Sequence, residues 1–304
     1  MDEILSKQHY RRTFFVVVGL VLTLALVARF FVLPYFAPAQ SLAGEALLGS
    51  LLDNLVVSLL LAVFLGGFVF WLTPAVVKRS TIEVIAPKQI NPLLKSAASA
   101  TRSWVYKGAC GRYTRATTIP KLAEAARTEG LGRDITICIL NPKNDNLCAA
   151  YATYRRSLKS GKSAEPWSRQ LVQEEILATA ITALKFQFSE PLLRINVFFV
   201  DHFSAFRLDI SDQYVVVTKE DKEASALRAD AGTYFYDSYK DDVRLTERQS
   251  KVMVCCGKLE FSGALDESKL REAVKCADIF DEAKLADLDI PRLLTAINTP
   301  HAPY

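Results

Sequence analysis

RINVFFVDHFSAFRLDISDQYVVVT, residues 194–218, decides the fold of the larger part of this chain. Three runs, 194–200, 206–210 and 213–218, are dense in Val, Ile, Phe and Tyr, the composition of strands. Ser211 and Asp212 separate the last two runs, and such residues make tight turns, so these runs read as a hairpin. Upstream, SWVYKG from Ser103 and DITICIL from Asp134 read as further strands. Between and around them lie helical patterns over 93–101, 119–130, 146–158 and 167–187. The 119–130 run carries Pro120 in its first turn and stops at Gly130, as helices do. Residues 81–92 read as a short linker, and the chain from about Tyr239 onward as two or three helices. Strand–helix–strand alternation followed by a strand hairpin predicts one α/β domain over 80–304, a mixed sheet with helices on both faces.

Ahead of it lie two long apolar runs, 14–37 and 54–77, the first interrupted by Arg29 alone and the second uncharged. Each exceeds the roughly 20 apolar residues that cross a bilayer. The first is too long for a secretory signal and lacks a small-residue cleavage site. Residues 1–79 therefore read as an all-α transmembrane hairpin with spans at about 14–36 and 54–77. Lys7, Arg11 and Arg12 flank the first span and Lys78 and Arg79 the second, while the connector holds only Glu45 and Asp53. Positive flanks stay inside, so the expectation is a bacterial inner-membrane protein with both termini and the α/β domain in the cytoplasm. Arg29 falls toward the outer interface, where it either snorkels to head groups, with Asp53 as a partner, or lines a pore mouth in an oligomer. Gly66 and Gly67 permit close helix approach or a bend, and Pro74 falls near the inner end. Two spans cannot enclose a pore alone, so a channel requires a homo-oligomer, with a tetramer expected.

Six cysteines lie in the soluble part, none in a CxxC pair and none at zinc-ligand spacing from a His. Reduced thiols, no metal and no cofactor are expected. Charge is divided: residues 101–169 hold thirteen Lys or Arg against five Asp or Glu, and 170–304 hold sixteen against twenty-three. That split suits an anionic partner for the first half. It equally suits mutual attraction of the halves, or a basic face on acidic membrane lipids.

YKGACGRYTR, 106–115, places Lys107, Arg112 and Arg115 around two glycines between a strand and a helix. Glycines let backbone N–H groups turn toward an anion, and a helix start favours negative charge. The spacing is neither a Walker loop nor GxGxxG. Such a stretch holds phosphates, with Tyr106 and Tyr113 to stack on bases, or else is a solvated loop. YATYRRSLKSGK, 151–162, interleaves aromatic and basic residues and extends the anionic track or lies on lipid.

HFSAFRLD, 202–209, has the spacing of the phospholipase D signature HxKxxxxD with Ser204 in the Lys position. His202 and Asp209 are in place, an apolar strand precedes the motif, and VVVTKE stands where that family shows Gly-Ser-x-Asn. The segment resembles a degenerate phospholipase-D-like domain, a sandwich that the resemblance extends over roughly 88–260. Losing the phosphate-holding cation costs ~10²–10³ in rate, so the resemblance implies binding without cutting and no catalytic residue. The alternative is a membrane-tethered phosphodiesterase acting on lipid or nucleic acid with His202 as nucleophile. In plan the whole chain resembles two-span bacterial anti-phage effectors, which join a membrane module to a cytosolic sensor of a nucleotide signal. Among these, the membrane channels of the Hailong system, held shut by a DNA oligomer, are the nearest in plan. The resemblance implies a nucleotide or oligonucleotide ligand, single-stranded DNA included, made by a partner nucleotidyltransferase. It implies phosphate contacts from Lys107, Arg112, Arg115, His202 and Arg207.

Overall fold

The computed structural model describes residues 8–32, 42–72, 81–158, 166–221, 223–255, 259, 261 and 263–301. The chain forms two compact units, Met1–Lys78 and Arg79–Tyr304. In the first unit, α1 (Gln8–Val27) runs on through a π-helical turn at Ala28–Val32, and α2 covers Leu42–Leu72. The segment Gly49–Phe68 is long and apolar enough to cross a membrane, and Val16–Val27 is a shorter apolar helix. The second helix begins inside the expected connector, because Leu42–Leu52 is rich in the strong helix formers Leu and Ala. The flanking cations Lys7, Lys78 and Arg79, together with Pro74, Lys162 and Cys256, lie outside the described residues, as do the side chains of Arg11, Arg12 and Arg29.

The second unit is built on an eight-stranded mixed sheet in the order β1-β7-β6-β5-β2-β3-β4-β8. Its strands are β1 (Glu83–Ile85), β2 (Ser103–Lys107), β3 (Arg133–Leu140), β4 (Leu193–Val200), β5 (Phe206–Ile210), β6 (Tyr214–Lys219), β7 (Ala226–Asp230) and β8 (Lys251–Val252). Its helices are α3 (Pro87–Ala100), α4 (Ile119–Glu129), α5 (Asp145–Ser157), α6 (Arg169–Ser189), α7 (Tyr234–Gln249), α8 (Glu267–Cys276) and α9 (Ile290–Asn298). β2, β3 and β4 are parallel, β5 joins β2 antiparallel, and β5 and β6 form the expected antiparallel hairpin. The expected α/β domain with helices on both faces is therefore present. Central β3 reads ITICIL without polar alternation because both of its faces are covered.

Side-chain alternation sorts the core into two layers. On β6, Tyr214 and Val216 join the larger layer, which α3, α4, α5, α6, α8 and α9 supply. Val215 and Val217 join the smaller one, under Tyr236 and Val243 of α7. Burying each Val, Leu or Ile stabilises by roughly 1.5–3 kcal/mol, so the larger layer dominates.

Three local readings are corrected, and one strand had none. Residues 81–92 are not a linker: β1 pairs antiparallel with β7, and α3 starts at Pro87, whose fixed φ suits a first helical turn. β7, ALRAD, carries no β-branched residue, and its ladder with β6 overrides that weak propensity. α7 begins at Tyr234 rather than near Tyr239, because Thr233 caps it by accepting from the Tyr236 N–H. The basic stretch after β2 is a turn only as far as Gly111; from Arg112 it is helical, through a π segment at Thr114–Thr118 into α4.

Candidate functional site

The parallel strands β2, β3 and β4 all end at one edge of the sheet, where β5 begins, β6 ends, and α3 and α5 have their N-termini. Ligands of open α/β sheets bind outside this carboxyl edge. The stretch Gly108–Arg115 lies there and is tightly pinned. The Gly108 N–H donates to the Cys138 carbonyl, and the Leu140 N–H to the Ala109 carbonyl, at 3.0 Å each. Gly111 takes φ +70°, which a residue with a side chain rarely adopts, and its N–H donates to the Tyr106 hydroxyl at 3.2 Å. Thr179 Oγ1 donates to the Cys110 carbonyl at 2.7 Å.

The cations expected at one site are divided between the two faces of the sheet. Successive residues of a strand point to opposite sides, so Tyr106 enters the larger layer while Lys107 turns to the α7 side. There its Nζ pairs with Asp242 at 2.8 Å, in the wall of a cavity of about 520 Å³. Ser204, which stands where the signature has Lys, lines that same cavity. Arg112 and Arg115 lie on the other face and both clasp Glu175 of α6. Arg115, 2% exposed, donates to its carboxylate at 2.8 Å, and Arg112 Nε lies 3.4 Å away.

Arg207 and Asp209 point from β5 into the larger layer, where the neighbouring strands place apolar residues. Arg207 Nε donates to Asp209 Oδ2 at 2.6 Å, and both groups are buried. The guanidinium carbon lies 5.6 Å from the Tyr106 ring centroid and 5.1 Å from that of Tyr113. Burial pushes the Asp209 carboxyl above its ordinary pKa, and the Arg207 charge pulls it back. Both tyrosine rings are buried, so neither offers an open face to a base. His202 is exposed on the bend between β4 and β5, whereas Asp209 is committed to Arg207. In the second aromatic–basic cluster, Tyr151 and Arg155 are internal, with Arg155 over Trp167 at 4.8 Å and Tyr151 against Trp167 and Phe203, while Arg156 is exposed.

What opens at the carboxyl edge is a cleft of about 290 Å³ between the start of α3 and the ends of β5 and β6. Lys88 and Asn91 line it from α3, Tyr113 from the segment after β2, and Arg207, Thr218, Lys219 and Asp221 from the sheet side. Arg207 and Thr218 face each other across β5 and β6, as do Phe206 and Lys219. No side chain caps α3 at Ala86, so the positive end of its macrodipole faces this region. Thr218 is only 6% exposed, and its hydroxyl has no hydrogen-bond partner among the described residues. A buried hydroxyl left unpaired costs about 1–3 kcal/mol, a cost that a bound acceptor removes. The cleft presents Lys88, Lys219 and the Asp209-paired Arg207 beside Asp221, around a helix start and an unsatisfied donor. That arrangement suits a phosphate-sized anion.

Of the expected contacts, Arg207 and Tyr113 line this cleft. Lys107 lies on the opposite face, Arg112 and Arg115 are held by Glu175, and His202 is not among the lining residues. Sequence reasoning missed Lys88, Asn91, Thr218 and Lys219. The available signal was Pro87, one residue after the apolar pair Val84–Ile85, a strand-to-helix junction. In the first unit, Asp53 is exposed on α2, and a Cβ at Gly66 or Gly67 would meet no atom within 4 Å. No group of metal-binding side chains occurs among the described residues.

No protein-family model matches the chain, and no curated protein matches it. A solved structure of TrmBL2, described as an archaeal chromatin protein with a novel mode of DNA binding, is similar at TM-score 0.31 and 11% identity. The similarity covers 66% of this chain and 64% of that one.

Proposed function

We propose that this protein is an oligomeric inner-membrane effector whose cytoplasmic α/β domain senses a phosphate-bearing ligand, a nucleotide or oligonucleotide, and gates a pore. The observation that carries the reading is the cleft at the α3 N-terminus, lined by Lys88, Lys219, buried Arg207 and Thr218, whose hydroxyl is unpaired among the described residues. The length and composition of Gly49–Phe68 support membrane insertion, with 1–79 as a transmembrane hairpin and both termini inside. The degenerate HFSAFRLD segment supports a phospholipase-D-like sandwich that binds rather than cuts, since Asp209 serves Arg207. On this reading the chain is an anti-phage channel effector and a homotetramer. Its ligand, single-stranded DNA included, comes from a partner nucleotidyltransferase.

The test is mass spectrometry of small molecules released on denaturing the full-length protein, purified in mild detergent with its neighbouring genes co-expressed. A nucleotide or oligonucleotide released from wild type, and lost from Lys88→Glu/Lys219→Glu, is the expected result. Release of phospholipid alone, or equal release of nucleotide from the double variant, overturns the assignment.

A further inference from the structure

The Sγ atoms of Cys255 and Cys276 lie 2.7 Å apart, approaching the ~2.05 Å of a covalent disulfide. Cys255 lies just beyond β8, on the segment that Met253 anchors by donating its N–H to the Val197 carbonyl of β4 at 2.8 Å. Cys276 is the last residue of α8. A second link holds the same two elements together: Lys251 of β8 reaches Asp278, just past α8, at 3.0 Å. The sulfurs are thus apposed by two anchored backbones and not by chance contact of mobile chains. Both cysteines are partly exposed, open to a small oxidant.

We propose that Cys255 and Cys276 form a reversible redox pair, closing to a disulfide that staples α8 to the edge of the sheet. The inference is independent of the ligand cleft. With a peroxide as oxidant, one thiolate attacks a peroxide oxygen, giving a sulfenic acid and releasing hydroxide. The second thiolate then attacks the sulfenic sulfur and expels the second hydroxide. The balance is two thiols plus one hydrogen peroxide giving one disulfide and two waters. A cytosolic dithiol returns both thiols by exchange.

The other described cysteines differ in kind. Cys110, Cys138 and Cys148 are fully buried. Burial lifts the Cys138 and Cys148 thiols to about 12 and that of Cys110 well above its ordinary value, so little thiolate forms. Oxidation is therefore selective for the apposed pair. A disulfide in a reducing compartment is a transient, signal-bearing bond more often than a structural one.

The experiment treats the full-length protein in detergent with hydrogen peroxide, then denatures it in excess alkylating agent and maps the peptides. The expected result is a Cys255–Cys276 cross-linked peptide that disappears with dithiothreitol, while Cys110, Cys138 and Cys148 are recovered alkylated. Cys256→Ser keeps the cross-link and Cys276→Ser abolishes it, which assigns the partner of Cys276 unambiguously. Full alkylation of both cysteines after oxidant overturns the proposal. So does a disulfide through Cys256 or one between two chains.

Discussion

Arg115 and Glu175 meet at 2.8 Å with the arginine all but excluded from water, so the most basic-looking loop of the sequence is anchored from beneath by an acid on α6. Arg115 also donates to the Glu175 carbonyl at 3.1 Å, which ties the helix start after β2 to the middle of the larger layer. Removing one member of a buried pair and leaving the other uncompensated costs about 3–5 kcal/mol. With Arg112 still beside Glu175, Arg115→Met is expected to fall at or below about 3 kcal/mol in urea unfolding of the full chain. Arg112 is more exposed and only 3.4 Å from the same carboxylate, so Arg112→Met is expected to cost under about 1 kcal/mol. Equal effects of the two would show that Glu175 does not distinguish them.

The division of cations between faces makes a sharp prediction for ligand binding. Lys88 and Lys219 line the cleft at the start of α3, whereas Lys107 pairs with Asp242 across the sheet. Binding of a labelled oligonucleotide is expected to weaken at least about tenfold in Lys88→Ala/Lys219→Ala, one tenfold step per ~1.4 kcal/mol lost. Lys107→Ala is expected to leave it within about twofold. The double variant is also expected to show a shallower salt dependence, because fewer phosphates are neutralised. Fluorescence anisotropy at several ionic strengths separates these outcomes.

How far the sequence could be read follows from where periodicity carries the information. β3, β4 and β6 announce themselves because burial leaves them dense in Val, Ile and Phe, β4 alternating with exposed Arg194 and Asn196 in its first half. β1, β7 and β8 do not, since edge and near-edge strands of two to five residues owe their form to a neighbour's ladder. The site was half legible for the same reason. Arg207 belongs to a strand that read correctly, Tyr113 to a stretch that reads as a basic turn and is helical, and Lys88 and Asn91 to what reads as a linker. Nothing local distinguishes Lys107 from Arg112 either. The face each one takes depends on strand alternation, and the pairing each one makes depends on Asp242 and Glu175, 135 and 63 positions later.

Gly111 is the one glycine with a left-handed backbone in the loop that carries these arginines. Its φ of +70° disfavours any side chain, and a Cβ there would lie 2.8 Å from Thr179 Cγ2. Left-handed backbone costs roughly 1–2 kcal/mol for a residue with a Cβ, and overpacking a filled core adds about 1–3 kcal/mol. Gly111→Ala is expected to lose about 2–5 kcal/mol in urea unfolding. Adding Thr179→Ser deletes the clashing methyl and keeps the hydroxyl that donates to Cys110, so the double variant is expected to recover the overpacking part alone. Full recovery would show that the backbone is unstrained, and none that the contact is not the cause.

Asp209 supplies a test by pH. Burial raises its carboxyl above the ordinary value, with Arg207 opposing the rise without cancelling it. A raised folded-state pKa means that the folded state holds the proton more tightly than the unfolded chain does. The contribution is fully present below the unfolded value of about 4 and is lost as pH rises through the folded value. The stability of wild type relative to Asp209→Asn is therefore expected to fall across the acidic range and level off once Asp209 is ionised in both states. Urea midpoints of the two proteins from pH 4 to 7 measure this difference directly. A difference that grows with pH instead would show that Arg207 overcomes the burial and holds the carboxylate ionised, in which case losing the pair costs more at neutral pH than in acid.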